Sequence, residues 1–187
     1  MKKLVLSLVS LVLLVSLAAC GSQDVRKSDC LTYRPSENPT PTRAEYDVQL
    51  GFDVSHAIAT AELWENGACT ESVPLTIPKE ATKLAFSVNI NGVGDDAENS
   101  ATVYLESDAA ETVTAQFDLP QTLNNSVFNA YTEKPPIPAP PGTDCVLGVA
   151  NFDNGPVKEI RAPELLDVPD LLKETTCAVV IRIAFKV

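Results

Sequence analysis

Hydrolysis through a serine nucleophile would need a histidine, and this chain of 187 residues has only His56. His56 follows Ser55 in a predicted turn. Because neighbouring side chains on an extended chain point in opposite directions, we expect the two not to act together as nucleophile and base. The sequence also contains no Gly-x-Ser-x-Gly, His-Glu-x-x-His or phosphate-loop motif. We therefore expect no catalytic residues, no cofactor and a protein that is not an enzyme.

Metal binding would need clustered carboxylates, and one short stretch concentrates them. Asp95, Asp96 and Glu98 follow Gly92 and Gly94. The cluster lacks the alternating ligand spacing of an EF-hand loop. We interpret it as a hydrated hairpin tip, with a weak calcium site as the alternative.

The start of the chain has the pattern of an export signal. Lys2 and Lys3 precede an apolar run over residues 4–19, which is followed by Cys20. A basic start, an apolar middle and a small-residue end are typical of a secretory signal. The run of about sixteen residues is shorter than the roughly 20 that a transmembrane helix needs.

This segment resembles a bacterial lipoprotein precursor, because Leu17-Ala18-Ala19-Cys20 matches the lipobox of that class. The resemblance implies that residues 1–19 are removed and that Cys20 becomes the acylated first residue, carrying palmitate-type chains. Several acyl chains hold a protein durably to a membrane, whereas one gives only marginal binding. Gly21 in place of Asp is similar to the enterobacterial pattern for the outer membrane. The expected location is therefore the cell envelope, on an outer membrane, facing the periplasm or the surface.

The charge balance limits the partners. Removal of Lys2 and Lys3 would leave 12 basic and 25 acidic side chains, a net charge of −13. Nucleic-acid binding needs Lys and Arg to neutralise phosphates, so the composition argues against it. The same charge disfavours broad contact with anionic lipid headgroups.

Four cysteines besides Cys20 fit an exported protein: Cys30, Cys69, Cys145 and Cys177. In an oxidising compartment they predict two disulfides, with three possible connectivities. Proximity in sequence favours Cys30–Cys69 together with Cys145–Cys177.

Composition divides the mature chain into a tether and one domain. Residues 20–44 hold the lipidated cysteine and a segment rich in Ser, Thr, Pro and charge, which predicts a flexible tether. Residues 45–187 then form a single domain. The proline-rich stretch 135–141 is interpreted as a stiff connector between strands.

Alternation of apolar and polar residues indicates strands throughout this domain. The apolar phase is clearest in four segments: Tyr46 to Phe52, Leu84 to Ile90, Val113 to Phe117 and Cys177 to Val187. Weaker candidates cover 57–64, 73–77, 101–106, 126–131 and 145–152. About 8–9 short strands predict an all-β fold, an antiparallel β-sandwich of immunoglobulin-like or transthyretin-like outline. Spacing of leucines near 163–173 adds one or two short helical turns before a last strand that is too apolar for an exposed edge.

If each strand crosses the domain once, successive loops alternate between its two ends. Loops 65–72, 91–100 and 119–125 then share one end, and loops 53–56, 78–82 and 107–110 share the other. The first end becomes a possible binding site, because sandwiches often bind through end loops. Its candidate residues are Trp64, Glu65, Asn66, Asp95, Asp96, Glu98, Asn124 and Asn125.

These observations predict an envelope-anchored, non-enzymatic binding or assembly module. Its expected partners are the membrane, through Cys20, and an envelope protein or glycan. An exposed Trp64 would favour sugar, and a buried one would favour protein. The alternatives are an inhibitor of a basic host or rival enzyme, with a protruding loop at 132–144, and an enzyme that uses two carboxylates.

Overall fold

A computed structural model describes residues 30–36, 40–91, 99–120, 123, 125–132, 137–138, 141–142, 144–160, 162 and 169–187. These residues form eleven strands and one short 3-10 helix, η1. In chain order the elements are β1 Cys30–Arg34, β2 Arg43–Gln49, β3 His56–Glu65, β4 Ala68–Pro78, β5 Lys83–Asn91, β6 Ser100–Ser107, β7 Ala110–Asp118, β8 Asn125–Ala130, β9 Ile137–Pro138, β10 Asp144–Asp153, η1 Pro169–Glu174 and β11 Cys177–Lys186.

The strands make two antiparallel sheets, which confirms the predicted all-β sandwich. One sheet has the order β7-β6-β5-β2-β1-β9, and the other has the order β4-β3-β11-β10-β8. The apolar strand β11 lies inside its sheet, between β3 and β10, as its composition predicted. The η1 helix agrees with the predicted helical turns, although residues 163–168 lie outside the described part.

The core forms where the apolar phases of the two sheets face each other. Ala57, Ala59 and Ala61 of β3 are fully buried, as are Phe86 and Val88 of β5. A fully buried Phe or Val side chain contributes about 1.5–3 kcal/mol relative to an exposed one. The small alanines of β3 leave room for the large rings of the opposite sheet.

A second apolar cluster covers the outer face of the five-stranded sheet. The crossover from β10 to β11 supplies Ile160, Ala162 and Leu172, which pack on Val149 and Val180 of that face. Main-chain carbonyls of the crossover are also bonded: Asn151 Nδ2 donates to Lys158 O at 3.0 Å, and Asn129 Nδ2 donates to Ile160 O at 3.2 Å. Strands β10 and β11 are therefore buried on both faces, unlike their neighbours.

The predicted tether is wrong for residues 30–34, because they form β1 inside the six-stranded sheet. Leu31 is fully buried and Tyr33 packs against the core, so two inward side chains suffice to hold the strand. Pro35 follows β1 and leaves its ladder with β2 unbroken. The predicted connector at 135–141 likewise includes β9, whose Ile137 and Pro138 pair with Leu31 and Cys30.

The alternation predicted from Tyr46 to Phe52 is wrong at its C-terminal end. Strand β2 stops at Gln49, and Phe52 is 95% exposed instead of facing the core. The reason is a turn in which Val54 N donates to Gly51 O at 3.3 Å, with Phe52 and Asp53 at its corners.

The predicted loop 65–72 is a two-residue turn. Asn66 and Gly67 have φ values of 50° and 79°, and positive values at both central residues are typical of the type I′ turn of a β-hairpin. The turn packs on η1, since a Cβ on Gly67 would lie 3.0 Å from Lys173 Cα. Strands β3 and β4 therefore extend to the turn itself.

Candidate functional site

The loops alternate between the two ends of the sandwich as predicted. We call one the β3–β4 end: it holds the turn at 66–67, and Leu119 N there donates to Asn99 O at 2.8 Å. We call the other the β2–β3 end: it holds residues 50–55, and Ser55 N donates to Lys186 O at 2.8 Å. Asp108 lies at the β2–β3 end, where its N donates to Lys83 O at 3.4 Å.

The residues predicted to form a site at the β3–β4 end are only partly described. Asp95, Asp96, Glu98 and Asn124 lie outside the described residues, and with them the candidate calcium site. Trp64 and Asn125 are separated by β11 and β10, which is about 14 Å at ordinary strand spacing. Asn125 Nδ2 donates to Gly155 O at 2.9 Å, away from Trp64. Within the described ranges, no group of three or more His, Cys, Asp or Glu residues could hold a metal ion.

Trp64 lies on the outer face of the five-stranded sheet and is half-buried against the second apolar cluster. Its Nε1 donates to Glu62 Oε2 at 2.8 Å. Glu62 also pairs with Arg182, whose guanidinium reaches Asp144 Oδ2 at 3.1 Å. The indole is therefore part of a structural network, half-buried and with its N–H already bonded.

A groove of about 250 Å³ lies on the outer face of the six-stranded sheet. Its floor is a row of directly opposed residues, Arg34, Glu45, Ala85 and Glu106, across β1, β2, β5 and β6. Lys83 and Asp108 complete the charged lining. Three of the eight Lys and Arg residues in the described part of the chain line this one groove.

Arg43 holds the carboxylates of the groove together. It donates to both oxygens of Glu106, at 3.0 and 2.9 Å, and through Nε to Glu45 Oε1 at 3.0 Å. Ala85 stands between Glu45 and Glu106 in the row, and its single methyl group leaves space for the guanidinium. Ser36 Oγ and Arg34 also donate to Glu45, at 2.8 and 3.3 Å.

The electrostatics of the groove favour fixed charges over proton transfer. Hydrogen bonds from Ser36 and Arg43 hold the pKa of Glu45 below its ordinary value, although burial opposes them. The bond to Glu106 raises the pKa of Arg43 above its ordinary value, against the effect of burial. A general acid or base needs a pKa near the working pH, so these groups suit recognition better than catalysis.

The carboxylate of Asp108 is bound by backbone amides of the segment that borders the groove. It accepts from Thr82 N at 2.9 Å and from Lys83 N at 3.0 Å. Burial raises the pKa of Asp108, but the bonds from Thr82 and Lys83 outweigh it, and the pKa is lowered. The Lys83 ammonium forms no ion pair with any residue that the structure describes, so it is a cation left for a partner.

This groove was not predicted from the sequence, although the charged positions of β2 indicate it. Arg43, Glu45 and Asp47 occupy the outward phase of β2 and carry charges of both signs. Such a phase on a strand flanked by β1 and β5 indicates cross-strand ion pairs. The ion pairs between β1 and β2 could not be predicted, because the residues of β1 were assigned to the tether.

The expectation that Ser55 and His56 point apart is wrong, because Ser55 Oγ lies 2.8 Å from His56 Nδ1. Ser55 lies outside β3, which begins at His56, so strand alternation does not apply to it. The pair is solvent-exposed, and Ser55 Oγ also lies 3.4 Å from Lys186 O.

Both favoured disulfides are also wrong. Cys145 is opposite Ile183 in the β10–β11 ladder and Cys177 is opposite Phe152; six residues of strand separate them, about 20 Å, whereas bridged Cα atoms lie within about 7 Å. Cys30 pairs with Gln49 at the β2–β3 end, and Cys69 lies near the other end in the other sheet. Cys69, Cys145 and Cys177 are all free.

In comparisons with known proteins, no family model, no curated protein and no solved structure matches this chain. Among the described residues, no helix has the length and apolar character needed to cross a membrane.

Proposed function

We propose that this protein is an acyl-anchored lipoprotein of the bacterial outer membrane whose β-sandwich is a non-enzymatic binding module for an envelope protein. The anchor is Cys20, by resemblance to the lipobox class. The observation that carries the binding role is the mixed-charge groove on the six-stranded sheet.

The groove suits an acidic segment of a partner protein. Its carboxylates are already bonded to Arg43, Ser36 and backbone amides. The Lys83 ammonium is the cation available to a ligand, whereas the Arg34 guanidinium, whose side chain is 42% exposed, already pairs with Glu45 and Asp47. Elsewhere the acidic surface would repel such a ligand, so complementary charge confines it to this face.

The packing of Trp64 supports a protein partner over a sugar. Sugar recognition by an aromatic residue needs an open ring face, and part of the Trp64 side chain packs against the second apolar cluster. Its N–H group is used by Glu62. A glycan-binding module remains the second outcome of the test below.

The test is site-specific photocrosslinking of the intact lipidated protein in its own cells. A photoreactive residue replaces Asp47, which is directly opposite Lys83 on the groove side of β2. The matched control carries it in place of Thr114, which is exposed on β7 of the same sheet. We expect one envelope protein to be captured from position 47 and not from position 114.

Charge reversal then tests the groove with the captured partner. Lys83→Glu should weaken binding about tenfold or more, because the cation that attracts the acidic ligand is replaced by an anion that repels it. Thr114→Glu should leave the affinity unchanged. Equal capture from both positions, or binding that is insensitive to Lys83→Glu, would exclude this groove, and a blank capture would direct the search to glycans.

A further inference from the structure

The β2–β3 end carries the two most exposed large apolar side chains that the structure describes. Phe52 is 95% exposed and Val187 is 86% exposed. A large aromatic ring left almost wholly in water is unusual, since Phe is among the residue types most often buried. Its exposure makes this end of the sandwich a candidate contact surface.

Phe52 is displayed by a fixed turn. Val54 N donates to Gly51 O, and the Val54 side chain is fully buried below. Lys79 Nζ donates to Phe52 O at 3.0 Å, which ties the tip to the β4–β5 loop. Ser55 N donates to Lys186 O, so the same turn is joined to the end of β11, next to Val187. The two apolar side chains thus belong to one end of the rigid domain.

The chain enters the domain at this same end. Strand β1 begins at Cys30, which pairs with Gln49, and Gln49 is three residues before Phe52. Nine residues separate Cys20 from Cys30, a span of at most about 35 Å. A lipid anchor on Cys20 would therefore be joined to the sandwich at its β2–β3 end.

We propose that the β2–β3 end rests on the bilayer, with Phe52 inserted at the level of the headgroups and Val187 beside it. This contact rests on the lipid anchor proposed above. Attachment through Cys20 keeps the domain at a high local concentration near the surface, so a small apolar contact suffices to orient it.

The orientation has a consequence for the groove. The groove lies on a side of the sandwich, where β1, β2, β5 and β6 run from the membrane end to the other. A domain standing on its β2–β3 end leaves the part of the groove at Arg34 and Arg43 open to a partner, with Lys83 and Asp108 nearest the membrane. A domain free to tumble on its tether would not present it in a constant direction.

The test uses depth-dependent quenching of a single indole in the full lipidated protein. Trp64→Phe removes the only natural indole, and Phe52→Trp introduces one at the proposed contact. The matched control carries Glu71→Trp, an exposed position in β4 near the opposite end. Both proteins are placed in vesicles of phosphatidylethanolamine and phosphatidylglycerol with or without brominated acyl chains.

We expect the bromines to reduce emission from position 52 about twofold more than emission from position 71, since only an indole at the interface reaches them. Mass spectrometry of the same preparation reports the acyl chains on Cys20. An acylated protein in which positions 52 and 71 are quenched equally would overturn the contact and leave the anchor intact. A Cys20 without acyl chains in the native cells would overturn both.

Discussion

At the residue scale, the three described thiols differ in burial and therefore in reactivity. The thiolate is the reactive form of cysteine. Burial raises the pKa of Cys177 to about 12, with a further contribution from Glu65. Burial also raises the pKa of Cys145, and Asp144 adds to the effect. Cys69 is exposed in β4, although partial burial and Glu62 raise its pKa as well.

We expect a maleimide to modify Cys69 in the folded protein near pH 8 and to spare Cys145 and Cys177. After unfolding in guanidinium, all three thiols should react without prior reduction, as measured by peptide mass spectrometry. Cys69→Ser is the control and should abolish labelling of these three sites in the folded protein. A Cys145–Cys177 bridge in the unreduced map would contradict the strand register.

At the element scale, the β3–β4 hairpin depends on Gly67 for two separate reasons. Its φ of 79° is unfavourable for any other residue, and a Cβ would overlap the Lys173 side chain of η1. Gly67→Ala should therefore lower the free energy of unfolding by about 2–4 kcal/mol, combining left-handed strain with overpacking. The measurement is urea denaturation of the non-acylated domain.

Two other glycines separate these contributions. Gly142 has the same φ of 79°, but a Cβ there would contact nothing within 4 Å, so Gly142→Ala should lose only about 1–2 kcal/mol. Gly155 has neither restriction, and Gly155→Ala should change stability by less than about 0.5 kcal/mol. Equal losses at positions 67 and 142 would show that the turn does not pack on η1.

Much of the fold follows from sequence periodicity, and the candidate site does not. Each of the nine segments predicted as strands overlaps a strand of the structure, because alternation over five or more residues depends only on which face is buried, although the first segment runs three residues past Gln49. Strand β1 was missed since its burial rests on two residues, Leu31 and Tyr33, between polar and proline-rich neighbours. The groove was missed because its charges meet across four strands, and cross-strand register is absent from local sequence patterns.

At the scale of the whole molecule, two electrostatic effects act in opposite directions as the pH falls. The formal charge of −11 at pH 7 and the pI near 4.4 mean that self-repulsion decreases on acidification, which favours the compact state. Glu45 and Asp108, in contrast, have pKa values lowered by their hydrogen bonds in the folded protein. A carboxyl whose pKa is lowered by folding stabilises the native state above its unfolded pKa of about 4, and that stability is lost as the pH falls through the folded value.

The free energy of unfolding should therefore pass through a maximum at mildly acidic pH and fall steeply below about pH 4, where carboxylate protonation outweighs the relief of repulsion. Urea denaturation of the non-acylated domain from pH 7 to pH 2.5 measures this profile. Glu45→Gln and Asp108→Asn should each lower stability at pH 7 and reduce the slope below pH 4, because each removes one carboxyl that is ionised only in the folded state over that range. An unchanged slope in both variants would mean that the groove carboxylates do not stabilise the sandwich, and that the acid sensitivity of the molecule arises from its remaining acidic surface.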